Sequence, residues 1–167
     1  MALYSHIVSM GKGKISEMVG AVIIAHSFMG KELIATAEYI VGKIEGITAI
    51  SIDGETNAFE ARNRISDAIN QVSQGDGVLL LTDLFGGSPS NIAFSFLNSE
   101  KIDVVTGVNL PMILTFWNKR EGKGLSDLAK LIQCSGIRNI VIARKLLKER
   151  GTFGRRILKS DRRLSQK

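Results

Sequence analysis

Cysteine is almost absent: Cys134 is the only one in 167 residues. That excludes a disulfide framework and a CxxC-type zinc site. Cys134 lies in a helical pattern, where a small buried hydrophobe is expected. Long apolar runs are missing too, none reaching the roughly 18 residues of a membrane span. Residues 1–14 are too polar and too glycine-spaced for a secretory signal,. The expectation is therefore a cytoplasmic chain. Several catalytic grammars are also missing. Without GxxxxGK[ST], nucleotide hydrolysis through a P-loop is not indicated, and no GxGxxG follows the first strand to hold a dinucleotide. The GxSxG of serine hydrolases is absent as well.

What is present suits one domain with a core of ordinary size: 44% of residues are apolar and 23% charged,. The net charge of +6 is uneven. From Arg144 to the end there are ten Lys/Arg against Glu149 and Asp161, a net +8 that leaves −2 for the rest. Such a tail can touch nucleic acid or an anionic membrane face. A solvated, disordered extension over 146–167 is the simpler reading, because Phe153 is its one aromatic and nothing supports base stacking. No nucleic-acid partner is expected. Residues 1–18 show no clean period and read as a flexible leader.

Between these ends the pattern alternates. Val19 to Ala25 (VGAVIIA) is a short β-branched run of the kind buried on both faces of a parallel sheet, and His26 follows it. Leu33, Ile34, Ala37, Ile40 and Val41 then fall at helical spacing, with Gly42 as a stop. Ile47 to Ile52 is a second strand, and Asn57 with Glu60 resembles a capping box before a second helix. Gly77 to Thr82 is a third strand, leading into Asp83-Leu84-Phe85-Gly86-Gly87-Ser88-Pro89. There Ser88 is expected as N-cap and Pro89 as the first helical residue. Ile102 to Thr106 is a fourth strand, followed by a short helix through Trp117. Ser126 is expected to cap a helix over Leu128 to Cys134 that Gly136 ends, and Asn139 to Ala143 (NIVIA) reads as a fifth strand. Alternation of this kind predicts an α/β fold with a doubly wound, mainly parallel sheet. In the common 2-1-3-4 order, the chain switches direction between strands 1 and 3, at whose carboxyl ends His26 and Asp83 both stand.

Those residues suit one chemistry. A carboxylate such as Asp83 can hold the Nδ1–H of His26, leaving Nε2 as a nucleophile and stabilising a developing cation. The glycine pair permits unusual backbone and close approach of a ligand. A helix starting at Ser88-Pro89 directs free N–H groups at an anion, and Ser88 adds a hydroxyl. His6, the only other histidine, has no comparable setting. Each feature alone has an ordinary structural explanation. Their convergence favours a phosphohistidine relay.

The chain also resembles the IIA component of the mannose family of the sugar phosphotransferase system. The resemblance rests on VGAVIIAHS, LLLTDLFGGSPSNIAF (Leu79–Phe94) and TGVNLPMIL (Thr106–Leu114), and it covers roughly residues 19–145. It implies that His26 takes a phosphoryl group from phospho-HPr and passes it to a IIB component, which serves sugar uptake through the IIC/IID permease. It implies that Asp83 orients the imidazole and that Ser88 binds the phosphoryl oxygens, beside the main chain that the Gly86-Gly87 pair is itself expected to open to them. It implies a homodimer in which a last, antiparallel strand, here Asn139 to Ala143, is exchanged between subunits. No metal, nucleotide or other cofactor is called for, and localisation is cytoplasmic, peripheral at the membrane through the permease. Many relatives have glycine directly after the histidine, where this chain has Ser27. Ser27 is expected either to cap the following helix or to contact the phosphoryl group. A rival reading keeps the same residues but makes the chain a regulatory phosphoprotein, controlling a partner without sugar transport. A third is a flavodoxin-like ligand binder using the same crevice.

Overall fold

The computed structural model describes residues 17–53 and 56–147. Most of the expected leader, His6 and nearly all of the basic tail lie outside these; Met18, the last residue of that leader, already belongs to the first strand. The chain divides into two compact units after Gly136.

The first unit is built from β1 (Met18–Ala25), α1 (Met29–Val41), β2 (Ile47–Ser51), α2 (Ala58–Val72), β3 (Gly75–Thr82), α3 (Ser88–Phe94), β4 (Ile102–Thr106) and α4 (Leu110–Lys119), with α5 (Leu125–Arg138) running to its end. The four strands form one sheet in the order β2-β1-β3-β4, and every neighbouring pair is parallel. The central strands explain the unbroken apolar runs. In β1, Val19, Ala21, Ile23 and Ala25 face one layer with α1, α4 and α5. Val22 and Ile24 face the other, with α2 and α3. Leu79 and Leu81 of β3 join the first layer, Val78 and Leu80 the second. With both faces covered, polar alternation has no place to appear. Phe116, Ile113, Leu128 and Ile132 are fully buried in the first layer, each worth about 1.5–3 kcal/mol of apolar burial.

Caps follow the sequence at two helices. Asn57 accepts the Glu60 amide at 2.8 Å, and Asn109 accepts that of Met112 at 3.3 Å. Gly42 ends α1 with φ 83°. Elsewhere the expectations need correction. The N-cap of α3 is Gly87, not Ser88, so Ser88 and Pro89 are its first two residues. The extended Gly87 backbone already suits an N-cap, and its carbonyl accepts from the Ser90 hydroxyl at 2.9 Å. Ser27 does not cap α1, whose N-cap is Phe28 with no side-chain bond. The helix expected from Leu128 begins at Leu125, placing Ser126 inside it. Gly136 does not stop that helix but lies buried within it. A Cβ there would come within 2.8 Å of Met112 Cγ and Sδ, so glycine serves the close approach of α5 to α4. Cys134 is exposed, on the face of α5 turned away from Ile132 and Gly136.

In the second unit, residues 139–142 form no strand, and a helical turn occupies 143–147. Lys145 and Leu146 donate their amides to the Ile142 carbonyl. Among the described residues the sheet of the single chain has four strands, and NIVIA adds no fifth strand within that one chain. A β-branched stretch expresses its strand preference only when a neighbouring strand supplies ladder bonds. Ile140, Val141 and Ile142 are exposed.

Candidate functional site

Parallel order places the carboxyl ends of β1 and β3 side by side, with Ile24 opposite Thr82. The next residues out are therefore His26, two beyond Ile24, and Asp83, one beyond Thr82. The two meet twice. The His26 amide donates to Asp83 Oδ2 at 2.7 Å, and the ring Nδ1 lies 2.8 Å from the same oxygen. The His26 side chain is 50% exposed, whereas that of Asp83 is only 8% exposed. Burial alone would raise the Asp83 pKa. The His26 amide bond, the ring bond and ring charge, and the Leu84 amide together outweigh it, holding the carboxyl below its usual value. An ionised carboxylate only accepts. The proton of neutral His26 therefore sits on Nδ1, which donates to Asp83, and the lone pair is left on Nε2.

The glycine loop closes one side of the imidazole. Gly86 has φ 81°, in the left-handed region,. At Gly87, a Cβ would stand 3.3 Å from His26 Cε1, so the missing side chain keeps the ring accessible. Asn91 fixes the loop by donating its amide group to the Gly86 carbonyl at 3.4 Å, and its backbone N–H reaches the Gly87 carbonyl at 3.0 Å. Ser88 is exposed at the first position of α3, and its hydroxyl makes no hydrogen bond among the described residues. The structure thus brings His26, Asp83 and Gly87 into contact, with Gly86 and Ser88 flanking Gly87. Ser27 points elsewhere in role: with φ 51° it is the one non-glycine residue of positive φ among those described. That conformation favours glycine.

Sequence reading missed two features. One is a set of exposed apolar side chains: Phe28 (67% exposed) and Met29 follow His26 in the chain, and Leu84 and Phe85 (74%) follow Asp83. Their positions beside His26 and Asp83 were readable, but their exposure was not. The other is Ser51, whose hydroxyl donates to the Ser27 carbonyl. Only the register Ala25 opposite Ser51 reveals that neighbourhood. Among the described residues, no cluster of His, Cys, Asp or Glu is arranged to hold a metal ion.

The family described as "PTS system fructose IIA component" matches the chain over residues 20–133. The fructose-specific EIIA component of Bacillus subtilis is 29% identical over 112 residues, which are 66% of this chain and 77% of that protein. The mannose-specific EIIAB component of Escherichia coli K12 is 31% identical over 97 residues, 58% of this chain but only 30% of that longer protein. Among solved structures, the phosphotransferase system component EIIA of Streptococcus agalactiae superposes with a TM-score of 0.69 at 23% identity, covering 77% of this chain and 99% of that one.

Proposed function

The chain belongs to the mannose family of IIA components of the sugar phosphotransferase system, and from that premise we propose that His26 is its phosphoryl acceptor. The observation that carries this reading is the paired contact of His26 with Asp83 Oδ2, through amide and ring, at a half-exposed imidazole. In the proposed reaction Nε2 of His26 attacks the phosphorus of phospho-HPr. A bond forms from phosphorus to Nε2 as the bond to the donor histidine breaks. Nδ1–H stays on Asp83, whose charge stabilises the imidazolium character that builds up. The Ser88 hydroxyl, with the backbone at Gly86 and Gly87, receives the phosphoryl oxygens, and Ser27 lines the same turn. The phosphoryl group then passes to a IIB component by the reverse of these steps, for sugar uptake through the IIC/IID permease. Catalysis is positioning plus charge stabilisation, since the donor is already activated. The exposed Phe28, Met29, Leu84 and Phe85, all within three residues of His26 or Asp83 in the chain, support protein partners, because exposed apolar side chains next to a reactive group suit docking of a second surface,. Among the described residues no helix is long and apolar enough to cross a membrane. We place the protein in the cytoplasm, reaching the membrane through its partners, and as a homodimer.

The test is incubation with phosphoenolpyruvate, enzyme I and HPr. An acid-labile label is expected on the wild-type chain and on His6→Ala, and none on His26→Ala. Label that persists in His26→Ala removes the proposal. Label that moves on to a IIB chain establishes transport. Label that no IIB removes favours the regulatory alternative.

A further inference from the structure

We propose that Ser51 is a positioning residue for His26: its hydroxyl holds the Ser27 carbonyl and so keeps the turn that sets the imidazole over Asp83. This rests on His26 being the phosphoryl acceptor. The last ladder bond between β1 and β2 runs from the Ile52 amide to the Ala25 carbonyl, at 3.0 Å. Beyond it His26 leaves the sheet, and its direction depends on the backbone at 26 and 27. Ser27 there takes φ 51°. For a residue with a Cβ that region is disfavoured by about tenfold or more. Something must therefore hold it.

The hold comes from β2. Parallel register sets Ser51 opposite Ala25, and the Ser51 hydroxyl donates to the Ser27 carbonyl. Ser51 is itself tied down, because its carbonyl accepts from Arg64 Nη2 of α2 at 2.9 Å. His26 is thus restrained on both sides. On one side, Asp83 Oδ2 takes its amide and its ring; on the other, Ser51 holds the Ser27 carbonyl, one peptide beyond the one that leaves His26. Both bonds to a single carboxylate oxygen demand a defined orientation of His26, and the left-handed Ser27 follows it directly. The hydrogen bonds of Ser51 go to Ser27 and Arg64 and not to the imidazole, so its effect runs through Ser27.

The experiment is a cycle over Ser51→Ala, Ser27→Gly and the double variant, with Ser51→Thr as the conservative rescue. Two quantities are read in each. One is the initial rate of phosphorylation by phospho-HPr. The other is the proportion of Nδ1–H tautomer of His26, from imidazole 15N shifts in the unphosphorylated protein. Ser51→Ala is expected to slow phosphorylation about tenfold and to lower the Nδ1–H proportion. Ser51→Thr restores both. In the Ser27→Gly background, where the turn needs no holding, removing the Ser51 hydroxyl is expected to cost less than about threefold. An equal loss in both backgrounds would assign Ser51 a general structural role and overturn the proposal, as would an unchanged tautomer and rate in Ser51→Ala. Should even the wild-type chain take no label, the reading of His26 as acceptor fails instead, and the 15N shifts still decide the positioning role. Arg64→Met, which frees the Ser51 carbonyl without touching β2, is expected to reproduce the tautomer change in weaker form; no change there together with none in Ser51→Ala refutes the proposal.

Discussion

At Asp83, burial and hydrogen bonding act against each other, and the bonds from His26 prevail. The sign of the consequence is fixed. A carboxyl depressed in the folded state stabilises the fold above its unfolded pKa of about 3.9. That contribution disappears as pH falls through the lower, folded value. Asp83→Asn should therefore flatten the acid limb of stability below the ordinary carboxylate pKa of about 3.9, measured by thermal melts across pH. An acid limb identical to wild type would show that Asp83 carries no such linkage. The same substitution removes the charge that favours Nδ1–H, and phosphorylation is expected to slow by roughly 10²-fold, the scale of one proton-positioning group. Both partners were readable in the sequence because each immediately follows an apolar run, where a parallel sheet ends. Ser51 was not, since it gains its role from register across 24 residues of chain. Nor was the conformation of Ser27, because no side-chain pattern records φ.

At the scale of elements, two glycines test how closely the layers approach. A Cβ on Gly20 of β1 would stand 2.3 Å from the Val72 carbonyl oxygen and 2.9 Å from its carbon. Backbone at the end of α2 cannot move aside without disturbing the cap at Ser73, whose amide bonds the Ile69 carbonyl. Gly20→Ala should cost about 3 kcal/mol or prevent folding, at the upper end of overpacking penalties. On Gly136 the atoms met are Met112 Cγ and Sδ, the far part of a flexible side chain. Gly136→Ala should cost about 1 kcal/mol. Urea midpoints compare the two directly, and equal costs would contradict the packing argument. Strands and helix faces were legible because β-branched runs and 3.6-residue spacing survive burial. Helix starts were less so. At α3 the sequence offers Ser88-Pro89 as a ready start, yet Gly87 takes the cap, since an extended backbone with its carbonyl held by Ser90 serves that position without a side chain. At α5, Gly136 reads as a stop only until the neighbouring Met112 is known.

At the scale of the whole molecule, β4 stands at the sheet edge with no further strand beside it among the described residues. A parallel sheet ends there in the single chain, and an edge with unpaired backbone groups invites another strand. The stretch NIVIA has the composition of a strand, yet forms none here and leaves Ile140, Val141 and Ile142 exposed. Three β-branched side chains in water, together with an unfilled edge, are both accounted for if that stretch pairs with β4 of a second copy. The full chain is then expected to sediment at twice its 18.2 kDa. Val141→Pro, which removes a ladder donor in mid-strand, should shift it to monomer. His26 phosphorylation should persist in that monomer, because His26, Asp83 and Gly87 all come from one chain. Removing residues 151–167 should leave both mass class and labelling intact, since β4, residues 139–142, His26 and Asp83 all lie outside the removed segment. A full chain that sediments as a monomer throughout the micromolar range would leave the exchanged strand without support, while the pairing of His26 with Asp83 would stand on its own geometry.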